Sequence, residues 1–113
     1  MARYKLAYLH PAETDILGIV RFHAEQVGPA SAREIYRSIR EQIGRLQDFP
    51  MLGPIHPDPE LAALNYRKLV LTKTYVAVYR LIDDTVTIYR VVNGKTDYPK
   101  LLINIRCAMR WTV

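Results

Sequence analysis

Two gaps of two residues each decide much of what this chain can become. Between Tyr66 and Val92 lie three runs rich in Val, Ile, Leu, Thr and Tyr: Tyr66–Thr72, Tyr75–Ile82 and Thr85–Val92. Such β-branched and aromatic residues suit a pleated, half-buried surface. Only Lys73-Thr74 separates the first two runs, and only Asp83-Asp84 the last two. A two-residue gap joins antiparallel neighbours, because a parallel partner needs a long crossover. The reading is a three-stranded antiparallel meander ended by the turn Asn93-Gly94. In its middle strand Val76 and Val78 point one way, and Tyr75, Ala77, Tyr79 and Leu81 the other. One face is predicted to carry helices, the other to stay partly open and hold Arg and Tyr side chains.

Upstream, Tyr4, Leu6 and Tyr8 alternate with Lys5, Ala7 and Leu9, which predicts a first strand paired with the meander. Pro11 ends it and suits the first turn of a helix. Helix one is expected over about Ala12–Val27, with Glu13 and Asp15 at the positive end of its dipole. Its apolar stripe is Ile16, Leu17, Ile19, Val20, Ala24 and Val27. Gly28-Pro29 separates it from helix two, about Ala30–Leu46. There Ala32, Ile35, Tyr36, Ile39, Ile43 and Leu46 keep a three/four spacing. Such a short link makes an antiparallel hairpin, and the sheet is the surface that can cover its apolar faces. Phe49, Met51 and Leu52 are expected to tuck under helix two. Pro54, Pro57 and Pro59 predict an extended loop. The sum is an α+β fold of order β-α-α-β-β-β. The helical hairpin packs on one face of a small antiparallel sheet. Residues 1–113 make one domain, with residues 103–113 as a tail.

Charge divides the chain. Residues 67–113 hold nine basic and three acidic residues, whereas residues 1–66 hold seven and eight. The excess of +5 therefore lies on the sheet and tail and predicts an anionic partner. Cys107 is the only cysteine, which excludes an intramolecular disulfide and a Cys-rich metal site. His10, His23 and His56 match no compact ligand spacing, so neither metal nor cofactor is expected. No apolar run approaches membrane-span length, and a signal-peptide core is absent from the N-terminus. The expected location is the cytoplasm, without a membrane partner.

The candidate site residues are the cations of the meander. Arg67, Lys68 and Lys73 form a basic strip beside Tyr66 and Tyr75. It reads either as a solvated face or as a contact for phosphate or an acidic segment. Arg90 reads either as a strand arginine paired with Asp97 or a helix acid, or as a cation facing a target. Arg80 has the same choice, with Asp83 and Asp84 nearby. Lys95 and Tyr98 fall in the turn after the last strand, where a structural role competes with a functional one.

The ordered set of strand, helical hairpin, the segment Ser38–Gly53 (SIREQIGRLQDFPMLG) and the segment Tyr75–Pro99, ending RVVNGKTDYP, resembles the RelE/ParE superfamily of type II toxin–antitoxin toxins. The resemblance spans about Tyr4 to Leu102 and is nearest to the ParE, or plasmid stabilisation protein, branch. It implies a toxin neutralised by a cognate antitoxin. ParE-like members poison DNA gyrase by binding, whereas RelE-like members cut ribosome-bound mRNA without a metal. The nucleases carry an arginine just after the tyrosine that opens the middle meander strand, and here Val76 follows Tyr75. They carry a second after the Gly-Lys turn, and here that residue is Thr96. The branch's usual histidine is replaced by Asn93. Both lost arginines remove charge that in-line RNA cleavage needs.

The resemblance thus implies a gyrase-binding toxin rather than an enzyme. Arg67, Lys68, Lys73, Arg80, Arg90, Lys95 and Tyr98 would then contact target or antitoxin. Two alternatives stay open. One is an mRNA interferase in which Arg67, Lys73, Arg80, Arg90 and Lys95 supply the charge. The other is a non-toxic scaffold that still binds antitoxin. A lone toxin would expose an apolar patch and could form a homodimer through it.

Overall fold

The computed structural model describes residues 3–96, 98 and 99. The tail expected at residues 103–113, with Cys107, lies outside the described residues, as does Asp97. In chain order the elements are β1 (Lys5–Tyr8), α1 (His10–Gln26), α2 (Pro29–Gly44), α3 (Pro59–Ala63), β2 (Arg67–Val70), β3 (Tyr75–Ile82) and β4 (Thr85–Asn93). A single 3₁₀ turn, Arg45–Gln47, prolongs α2. The sheet order is β1-β4-β3-β2.

The meander pairs as its short gaps require, with β2–β3 and β3–β4 antiparallel. Asp83 makes the second hairpin possible by adopting a left-handed φ of 55°, which a short polar side chain tolerates. β1 runs parallel to β4, from Lys5 opposite Thr85 to Tyr8 opposite Ile88, so the sheet is mixed rather than wholly antiparallel. A period-two pattern reveals a strand but not its direction. The intervening helices give the chain enough length for a parallel crossover.

One face of the sheet buries the helical hairpin. Ala12, Ile16 and Ile19 of α1 and Ile39 and Ile43 of α2 meet Leu69, Ala77, Tyr79, Val86, Ile88 and Val91. Leu46, in the 3₁₀ turn, joins this core. A bulge keeps β4 apolar on both sides. Tyr79 pairs with Ile88 but Val78 pairs with Arg90, so Tyr89 is the extra residue. The inserted residue shifts the alternation, which turns Val91 to the helical side while Tyr89 joins the opposite face. Arg40 ties three elements together. Its guanidinium lies 4.4 Å from the Tyr8 ring of β1 and 5.1 Å from the Tyr36 ring. It also makes a two-point bond with Glu13 of α1, at 3.2 and 3.1 Å.

The second face is more closed than the sequence predicts. α3 starts at Pro59 behind Asp58, whose carboxylate accepts the N–H groups of Glu60 and Leu61, a good N-terminal cap. It delivers Leu61 onto a second cluster with Tyr66, Val76, Val78, Tyr89, Val92 and Tyr98. A five-residue helix has no apolar period long enough to read from sequence.

Candidate functional site

The loop between α2 and α3 is pinned from below. Tyr79 is fully buried, and its hydroxyl donates to the Pro50 carbonyl (2.8 Å) and accepts from the Gly53 N–H (2.9 Å). Burial pushes the Tyr79 phenol up, against the smaller opposing pull of the Gly53 hydrogen bond and the Arg67 charge. Arg67 donates to the Gly53 carbonyl at 2.8 Å. Gly53 is required here, since a Cβ would sit 2.6 Å from the Lys68 carbonyl oxygen. With its backbone held this closely, the loop turns its apolar side chains outward. Phe49 and Met51 are each 62 % exposed and Leu52 38 %, so they do not tuck under α2. The loop's inward side is the backbone that meets the Tyr79 hydroxyl and the Arg67 guanidinium.

Beside this loop lies a groove of about 560 Å³. Leu52, Pro54, Ile55 and Val70 give it apolar walls, and Arg45 and Lys68 stand at its rim. It runs along β2, one of the two outer strands of the sheet. Part of that edge is already paired, because the His56 backbone N–H donates to the Tyr66 carbonyl and the Lys68 backbone N–H to the Pro54 carbonyl. Val70, 62 % exposed, is left at the uncovered end. Exposed apolar side chains on a fixed backbone, with cations around them, make a preorganised surface for an apolar, acidic segment.

The seven candidate residues fall into separate places. Arg67 is tied to Gly53, with its second nitrogen 3.5 Å from the Met51 sulfur. Lys68 lines the groove. Lys73 and Lys95 are exposed in neighbouring turns, joined by the Gly94 N–H donating to the Thr74 carbonyl. Arg80, five residues along β3 from Tyr75, is about 17 Å from that end by strand rise. Its guanidinium lies 5.4 Å over the Tyr66 ring and 3.4 Å from the Tyr89 hydroxyl.

Arg90 makes a two-point bond to Asp15 of α1, with Nη2 2.8 Å from Oδ1. The same carboxylate accepts the Val91 N–H at 3.0 Å, capping β4 just beyond the end of β1. Tyr98 is buried against His56. At the two positions of the lost arginines, Val76 is buried in the second face and the Thr96 hydroxyl donates to the Asn93 carbonyl at 2.7 Å.

The expected pairing of Arg90 with a helix acid is met by Asp15, whereas sequence reasoning missed His56 as a buried residue and the outward Phe49, Met51, Leu52, Ile55 and Val70. A usable signal was present in Asp48-Phe49-Pro50-Met51-Leu52-Gly53-Pro54, where apolar residues are set in a backbone too punctuated to belong to a helix. Leu17, Phe22 and Val27 are also exposed on and after α1. Among the described residues no three of His, Cys, Asp or Glu come together as metal ligands. No described helix is long and apolar enough to cross a membrane.

An α+β domain with a helical hairpin on one face of a four-stranded sheet and a cation-bearing meander is the architecture of the RelE/ParE toxins. The family described as the ParE toxin of the type II toxin–antitoxin system parDE matches residues 6–98, and the chain belongs to that family. Among solved structures it is similar to the chromosomal ParDE toxin–antitoxin system of P. aeruginosa (22 % identity, TM-score 0.69, covering 80 % of this chain and 96 % of that one). It is also similar to the RelBE2 toxin–antitoxin complex of Mycobacterium tuberculosis (24 %, 0.58, covering 80 % and 98 %). A third is the YoeB/ParE toxin of Agrobacterium tumefaciens (17 %, 0.53, covering 80 % and 98 %). No curated protein matches the chain.

Proposed function

We propose that this ParE-family toxin acts by binding rather than by cutting RNA, that its target is DNA gyrase in the cytoplasm, and that a cognate antitoxin neutralises it. The observation that carries the reading is the state of the two positions where RelE-like nucleases hold arginine. Val76 is packed under Tyr98 and its neighbours, and the Thr96 side chain closes its own turn. The remaining cations are divided between the groove, the Lys73–Lys95 end, the Tyr66–Tyr89 pair and the Asp15 bond. In-line cleavage needs several charges aimed at one phosphate, and the spread of these cations among the described residues supports the binding reading.

The groove along β2 and the anchored loop are the proposed seat of the antitoxin. Their apolar walls and the Arg45 and Lys68 rim fit a segment with apolar anchors and acidic neighbours. The P. aeruginosa and M. tuberculosis structures are of toxin–antitoxin systems, which supports a partner of this kind. Lys73, Lys95 and Arg80 remain for the target. Without the antitoxin, the exposed Phe49, Met51 and Val70 support self-association.

Induced expression in bacteria without an antitoxin tests the reading, with protein synthesis, mRNA integrity and DNA damage signalling followed together. The expected result is filamentation and damage signalling with intact mRNA. Rapid loss of translation with cut mRNA would establish the interferase instead, and unimpaired growth with folded protein would establish a scaffold.

A further inference from the structure

His56 sits at a junction outside the lining of the groove. It is only 4 % exposed. Its Nδ1 accepts the backbone N–H of Asp58 at 3.0 Å, so that nitrogen carries no hydrogen. The neutral ring therefore carries its hydrogen on Nε2, which donates to the Tyr98 hydroxyl at 2.7 Å. The two rings meet edge to face with centroids 5.5 Å apart. One imidazole thus joins the loop before α3 to the chain after β4, 42 residues away. Tyr98 in turn is a buried member of the cluster that closes the second face of the sheet.

We infer that His56 is a pH-operated latch: neutral, it holds Tyr98 down on the sheet, and protonated, it lets go of Tyr98 and the turn after β4. A proton can enter only at Nδ1. There it would set a ring N–H against the Asp58 N–H and remove that hydrogen bond. The charged ring would be buried, and unpaired buried charge is costly. The groups facing it are Lys68 on β2, which opposes the charge, Asp58 on its own loop, which favours it, and the Tyr98 phenol. Burial dominates, followed by Lys68, and holds the imidazole below its ordinary 6.5.

The cheaper route to protonation is for the ring to swing into water, and Tyr98 then loses its partner. A base with a lowered pKa in the folded state stabilises the fold fully above its unfolded value. That contribution is lost as pH falls below that value towards the folded pKa. The turn that carries Lys95 therefore loosens in mild acid.

Hydrogen exchange on the full chain reads this directly. Corrected for intrinsic rates, protection of the amides of residues 93–96 should fall between about pH 7.5 and about pH 5.5, by up to about tenfold. His56→Gln, whose side-chain amide can donate to Tyr98 but does not titrate, should keep that protection flat. Tyr98→Phe should lower it at every pH. Equal protection at both pH values in the wild type, or the same fall in His56→Gln, would overturn the latch. If His56→Gln does not fold, the wild-type imidazole followed by NMR decides. Titration below the ordinary value and in step with the loss of protection is expected. Titration at or above that value, or out of step, overturns it.

Discussion

Arg80 and Arg90 lie on adjacent strands, each flanked by apolar residues, and nothing in their sequence neighbourhoods separates them. Their surroundings in the fold could hardly differ more. Arg90 has a carboxylate, delivered by Asp15 from a helix 75 residues earlier. Arg80 is met by the Tyr66 ring and the Tyr89 hydroxyl and, among the described residues, by no carboxylate. Its Nε is buried without a hydrogen-bond partner among them. Arg90 is therefore part of the framework that docks α1 on the sheet, while Arg80 keeps charge that no acid among the described residues neutralises. A cation's role is decided by what tertiary structure brings to it, not by the strand it sits on.

The largest effect should come from breaking the Arg90 side. Asp15→Ala strands a mostly buried guanidinium and the Val91 N–H together. Removing one partner of a buried pair costs about 3–5 kcal/mol, so urea unfolding should show a loss of that order. A loss of only about 1–2 kcal/mol would mean that Arg90 is as loosely held as Arg80. Next comes the loop anchor. Tyr79→Phe removes the hydroxyl that satisfies the buried Gly53 N–H. An orphaned buried donor costs about 1–3 kcal/mol, and the same variant should weaken antitoxin binding by loosening Phe49, Met51 and Leu52.

Arg80→Gln should cost about 1–2 kcal/mol, the worth of a partly buried cation–π contact, while reducing toxicity. Equal loss of stability in Arg80→Gln and Asp15→Ala would erase the contrast. The smallest stability effect belongs to Met51→Asp, within about 0.5 kcal/mol because the side chain is exposed. It should nonetheless weaken capture by the antitoxin by tenfold or more in a pull-down titration, as loss of an apolar anchor in a groove does.

The same contrast explains what was legible in the sequence. The meander followed from two-residue gaps, and the hairpin from the three/four spacing around Gly28-Pro29, because both are local patterns. The direction of β1 was not legible, since its partner is 80 residues away and alternation carries no polarity. The Tyr89 bulge was hidden because Tyr89-Arg90-Val91-Val92 reads equally well as an unbroken strand. The outward loop was misread because apolar residues between Pro and Gly invite burial. What sends them out is Tyr79, whose hydroxyl role appears only once β3 lies beneath the loop. The basic half of the chain was visible from composition, but which cations are free depended on Asp15 and Gly53.

The most direct measurement is a supercoiling assay with purified chain and purified DNA gyrase, run beside a translation extract in which mRNA ends are mapped. The account predicts inhibited supercoiling, relieved by the antitoxin and weakened in Arg80→Gln, with mRNA left whole. Cleaved mRNA together with unaffected gyrase would contradict it.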